Sequence, residues 1–184
     1  MTQPHVLVPL LEGFEEIEAV TIIDVLRRAE IAVTVASDQA GPVRGAQNID
    51  VSADTALADV DPNQYQMIVL PGGMPGSEHL ANHPTVQGLL GAIADAGGYT
   101  AAICAAPMAL AAAGLHQGKT VTCYPGFESY LAGGHHTEDR VAVDGKVITS
   151  RGPGTSLEFA LTLVSVLRDG DLAEGLAQGL LLLR

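Results

Sequence analysis

The stretch "YTAAICAAPMALAAAG", residues 99–114, decides the fold. Residues 99–104 are a short apolar run of strand length. Residues 106–114 then read as a helix, with Pro107 in the first turn, where its missing N–H has no partner to lose, and Gly114 as the stop. Cys104 sits where one element becomes the other. A sharp strand-to-helix turn leaves little room, and Ala101, Ala102, Ala105 and Ala106 keep every neighbour small. A strand that feeds directly into a helix is the building unit of an α/β fold.

The same alternation runs through the chain. "HVLVPLL" (5–11) is too short for a buried helix and reads as a strand. Residues 13–30 place Ile17, Val20, Ile23, Val25 and Leu26 on roughly one helical face, with acidic residues in the first turns and Arg27 and Arg28 at the end, as the helix dipole favours. Strands are predicted over 31–37, 65–73 and 119–124, and a short edge strand over 47–53. A helix over 85–98 ends at Gly97 and Gly98. Residues 140–150 read as a hairpin turning at Asp144–Gly145, and 155–170 as a helix capped by Thr155 or Ser156 with Glu158 near capping-box spacing. A last helix covers about 171–182. These units predict one α/β domain over 1–184: a mostly parallel sheet in a three-layer sandwich, helices on both faces and one β-hairpin.

Composition narrows the function classes. Trp is absent and aromatics make up 4%, so the core is built from Ala, Val, Leu and Ile. A formal net charge of −12 argues against nucleic acid and anionic membranes, which recruit basic patches. Two cysteines make no disulfide framework and suit a reducing, cytoplasmic setting. The N-terminal residues lack a secretory pattern, and no run reads as a membrane span.

In an open parallel sheet, sites lie at the carboxyl ends of strands. Three unusual segments fall there: "LLEGFEEIE", "PGGMPG" and Cys104. On the local residues alone Cys104 has two readings, a nucleophile at an elbow or a small buried hydrophobe. As a nucleophile it would face the N-terminus of the helix that follows, which favours thiolate, with Gly72 and Gly73 offering backbone N–H groups as an oxyanion hole. The dipole accounts for most of the cluster Glu12, Glu15, Glu16 and Glu18; Glu18 alone can face the crevice and bond the sulfur. Cys123 reads as a core residue. None of the six histidines follows a strand near the elbow, and the adjacent His135 and His136 suit a solvated loop rather than a metal site.

Four segments, "LEGFEEIEAVTIIDVLRRA", "VLPGGMPG", "AAICAAPMALAAAG" and "TSRGPGTSLEFAL", in this order and spacing, resemble the ThiJ/PfpI superfamily, in the branch of the Parkinsonism-associated protein deglycase and its bacterial chaperone relatives. The resemblance covers essentially the whole chain. It implies a flavodoxin-like homodimer without an organic cofactor or metal. It matches Cys104 to the family's oxidisable nucleophile and Glu18 to its protonated partner. Gly72 and Gly73 match the oxyanion glycines, joined by the backbone of Ala105. Glu15, Arg28, Tyr124, Gly152 and Pro153 are implied as pocket residues, Arg28 lining a small anion pocket.

Three positions depart from the family pattern: Tyr124 stands where some members carry a histidine, Gln47 where a pocket arginine is expected, and Ala106 where Gly is frequent. The resemblance implies either cysteine-dependent glyoxalase or deglycase chemistry on methylglyoxal or glycated protein, or a redox-regulated chaperone that senses oxidation through Cys104. A glutamine amidotransferase needs a late His/Glu pair, and a cysteine protease of this type a histidine at position 105; neither is present.

Overall fold

Strands covered on both faces need apolar side chains at every position, not at alternate ones. The run 67–70, "MIVL", meets that demand. In the computed structural model, which describes residues 3–182, all four of its side chains are buried. In chain order the elements are β1 (His5–Pro9), α1 (Glu16–Arg28), β2 (Ala32–Ser37), β3 (Gly41–Arg44), β4 (Asp50–Ala53), β5 (Thr55–Ala56), β6 (Met67–Leu70), α2 (Gly76–Asn82) and α3 (Pro84–Asp95). They continue with β7 (Tyr99–Ile103), α4 (Pro107–Ala112), β8 (Thr120–Val121), β9 (His135–His136), β10 (Val141–Asp144), β11 (Val147–Ser150), α5 (Ser156–Leu167) and α6 (Gly170–Gly179).

The main sheet has seven strands in the order β10-β11-β7-β6-β1-β2-β5. Every pair in it is parallel except the β10–β11 hairpin, which turns through Gly145 at φ +62°. Side chains along β1 alternate between the two faces. Val6 and Val8 pack with Ile22 and Leu26 of α1 and Phe159 of α5, whereas Leu7 packs with Leu90 of α3 and Leu110 of α4. Each fully buried Leu or Ile stabilises the fold by about 2 kcal/mol. The fold is the flavodoxin-like sandwich expected from the sequence.

β7, β6 and β1 lie side by side, so their carboxyl ends open onto one crevice. That adjacency puts Cys104, the Pro71–Gly73 turn and the start of α1 together. No described helix is long and apolar enough to cross a membrane.

Several local expectations are corrected. The strand expected over 119–124 is reduced to Thr120–Val121, which pairs with β9 outside the main sheet, because Thr122 and Cys123 turn toward the elbow. The edge strand over 47–53 begins only at Asp50 and pairs with β3 in a second antiparallel hairpin. Helix α2 was not expected, since "GSEHLAN" is a short, mostly polar stretch. The capping box at α5 does not form: Thr155 makes no cap bond, and Glu158 is held by Arg140 Nε at 2.7 Å.

Candidate functional site

Cys104 has φ +65°, the left-handed conformation that side chains avoid at a cost of about 1–2 kcal/mol. Two hydrogen bonds hold it there. Its N–H donates to Ser150 O at 2.9 Å, and its carbonyl accepts from Tyr124 N at 2.8 Å. The elbow therefore hangs between β11 and the chain after β8. Its side chain is 8% exposed, directed to the crevice between β7, β6 and the start of α1.

Glu18, in the first turn of α1, is fully buried and meets the thiol there. Its Oε2 accepts from Gly72 N at 2.7 Å, while Oε1 is buried with no conventional hydrogen-bond partner. Burial pushes its carboxyl up to about 7; Gly72 and Cys104 oppose that shift, and the nearby Glu15 charge adds to it. The thiol rises to about 12, mainly through burial, then through the charge and hydrogen bonding of Glu18. The N–H groups of Gly73 and Ala105 bond the sulfur and work in the other direction.

Burial and Glu18 thus push the thiol away from the thiolate expected from the sequence. Helix α4 has six residues and begins only at Pro107, so its dipole is outweighed by desolvation and a carboxylate neighbour. The pair is best described as one unit that sheds a first proton near neutrality and a second only in strong base.

The glycines are explained by space. A Cβ on Gly72 would lie 2.5 Å from Cys104 Cβ and 2.6 Å from Glu18 Oε2. Gly73 has φ +92°, and a Cβ there would collide with Glu15 N. Because the Gly72 N–H is committed to Glu18, the backbone N–H groups directed at the sulfur are those of Gly73 and Ala105, not the pair Gly72 and Gly73 expected from the sequence. Ala106 is fully buried, with its N–H donating to Ile103 O at 3.0 Å.

Of the remaining expected pocket residues, the structure gathers some and not others. Gly152 lies against both the Tyr124 ring and Cys104 Sγ. Glu15 is at the N-terminus of α1, its N–H donating to Gly72 O at 2.8 Å. Pro153 follows Gly152 and lines a groove along α1 and α5. Arg28 is not brought in: it ends α1, about 15 Å along the helix from Glu18, and pairs with Asp24 at 2.6 Å. No histidine is among the groups acting on Cys104. Among the described residues, no group of three His, Cys, Asp or Glu side chains could hold a metal ion.

Sequence reasoning missed two buried polar sets. Ser150 and Thr155 place their hydroxyls 2.7 Å apart beneath Gly152, and Thr155 Oγ1 lies 3.1 Å from Gly152 N. Glu16, assigned to the dipole, instead accepts from the N–H groups of Gln47 at 2.7 Å and Ile49 at 3.2 Å, fastening the turn between β3 and β4. The signal for the second was Gly45, which leaves room for the Glu16 carboxyl.

An open, mostly parallel α/β sheet with a strained cysteine at a strand-to-helix elbow defines a class of protein. The description of the DJ-1/PfpI family matches residues 4–166. The crystal structure of Drosophila melanogaster DJ-1beta superposes with a TM-score of 0.95 at 39% identity, covering 100% of both chains. The Danio rerio "Parkinson disease protein 7 homolog" is 44% identical over 179 residues, 94% of each chain. A Caenorhabditis elegans protein named "glutathione-independent glyoxalase DJR-1.2" is 38% identical over 173 residues, 93% of this chain and 92% of its own. The chain belongs to the DJ-1/PfpI family.

Proposed function

We propose that the protein is a cysteine-dependent glyoxalase acting on small 2-oxoaldehydes such as methylglyoxal. The observation that carries this is the buried Glu18–Cys104 pair, which holds one mobile proton near neutral pH beside the two backbone N–H groups directed at the sulfur. The similarity to a protein named as a glyoxalase supports the same substrate class.

The chemistry follows from the pair. Glu18 takes the thiol proton as sulfur bonds the aldehyde carbon, and the C=O pair moves onto oxygen, where Gly73 and Ala105 N–H stabilise it. That oxygen takes the proton back from Glu18, giving a hemithioacetal. Glu18, again a carboxylate, removes the hydrogen on the sulfur-bearing carbon, and the electron pair moves through the new C=C bond onto the neighbouring ketone oxygen, giving an enediolate. Glu18 returns that proton to the former ketone carbon while the hydroxyl proton on the sulfur-bearing carbon passes to the adjacent oxide, yielding a lactyl thioester. Water hydrolyses it, releasing lactate and restoring the thiol, with no oxidant or reductant consumed. Cys104→Ala is expected to abolish lactate formation from methylglyoxal, followed by proton NMR; undiminished turnover overturns the mechanism.

A second reading has its own observation. The protonated Glu18 carboxyl, donating from its unpartnered buried Oε1, and the Gly73 and Ala105 N–H groups would hold the oxygens of a cysteine sulfinate. On this reading the protein senses oxidation and acts as a redox-regulated chaperone. Mild peroxide followed by peptide mass spectrometry is expected to oxidise Cys104 ahead of Cys123. Equal oxidation of both sinks the sensor.

A further inference from the structure

We propose that the Tyr124 ring is a size gate over Cys104, admitting small aldehydes and excluding bulky ones. The proposal rests on Cys104 being the reacting nucleophile. A Cβ built on Gly152 would lie 2.9 Å from Tyr124 Cδ2, 3.4 Å from Cε2 and 4.0 Å from Cys104 Sγ. The edge of the ring and the sulfur thus converge on one face of one glycine. The ring is the outer layer of this contact: Tyr124 is 45% exposed, Cys104 8%.

The other boundaries of the space are fixed. Gly152 cannot recede, because Thr155 grips both ends of it. Thr155 Oγ1 accepts from Gly152 N at 3.1 Å and reaches Gly152 O at 2.9 Å, while Thr155 N donates to that carbonyl at 2.8 Å. Ser150 Oγ, 2.7 Å from Thr155 Oγ1, backs the pair from the buried side. On the opposite flank, Gly72 has no space for even a methyl group against Cys104. Tyr124 is itself tethered through its N–H to Cys104 O, so its Cα moves with the elbow and only the side-chain torsions remain free. Two rigid glycine walls and one rotatable ring bound the reacting atom.

Such a boundary discriminates by size. A three-carbon aldehyde passes beneath the ring edge. An aromatic aldehyde, or an adduct carried on a protein side chain, requires the ring to leave Gly152. The hydroxyl plays no part in this, so phenylalanine keeps the gate and alanine removes it.

The test measures alkylation at Cys104 in the full chain by peptide mass spectrometry, with iodoacetamide as the small reagent and N-(1-pyrenyl)maleimide as the bulky one. Tyr124→Ala and Tyr124→Leu are expected to raise the bulky-to-small rate ratio, by about tenfold or more for alanine. Tyr124→Phe is expected to keep the wild-type ratio. A ratio unchanged in both the alanine and leucine variants overturns the gate, as does a phenylalanine ratio that follows alanine. Alkylation needs no turnover. A Cys104→Ala variant that still made lactate would therefore overturn the catalytic reading while leaving the gate measurement standing.

Discussion

The two cysteines make a controlled comparison within one chain. Both are buried, Cys104 at 8% exposure and Cys123 at 1%. Both thiols are pushed up mainly by burial, to about 12 and about 11. They differ in everything else. Cys104 adopts a left-handed backbone, touches a buried carboxyl and receives two backbone N–H groups; the charges acting on Cys123 are Glu128 and Arg151, which oppose one another. On the proposed reading, a strained backbone and a proton acceptor within reach, rather than burial or thiol acidity in the resting protein, set the reacting cysteine apart.

The largest contrast is expected from the matched alanine substitutions. Cys104→Ala should lower lactate formation about a thousandfold or more. Cys123→Ala should retain most of it, and comparable losses would break the distinction. Next comes Glu18→Gln, which removes the proton carrier. It should cost about a hundredfold in kcat and erase a rise in rate through about pH 7 that the wild type shows as the Glu18 carboxyl ionises. A rise that persists in the glutamine variant reassigns that proton.

Stability gives a third test. Glu18 ionises near 4.5 when unfolded and about 7 when folded, so between those values the native state holds more protons. Its contribution is full below pH 4.5 and falls by about 3 kcal/mol as pH rises through 7. Urea titrations should show that decline in the wild type and a flatter profile in Glu18→Gln. The smallest effect is the stability cost of Cys123→Ala, about 1 kcal/mol, from the small cavity left in the core.

Much of this was legible in the sequence. The strand, small residues and Pro107 around Cys104 carry the elbow, because that turn tolerates few side chains. The segments that end β1, β6 and β7 could be named from their glycines and acids, and strand order supplied their adjacency. The raised Glu18 carboxyl was anticipated, whereas the protonation of the thiol was not legible. Desolvation depends on which residues cover the thiol, and no local window contains Glu18 and Cys104 together. The Gly72 N–H failed as an oxyanion donor for the same reason: its partner lies 54 residues away. Tyr124 came from the family resemblance alone, and the strand expected to carry it stops at Val121. Helix α2 and strand β3 escaped because neither is long enough to set up a period.

The bond from Cys104 N to Ser150 O bears on the order in which the site comes into being. Ser150 is made 46 residues after Cys104 and ends β11, which must dock beside β7 before its carbonyl can accept. During synthesis the chain carries Cys104 long before the elbow that strains it can close. Glu18 and Gly72 are already available by then, so the carboxyl can be seated while the cysteine is still unconstrained. The nascent thiol is an ordinary one. Its strained backbone arrives only with the hairpin near the end of the sheet, so β11 completes the elbow.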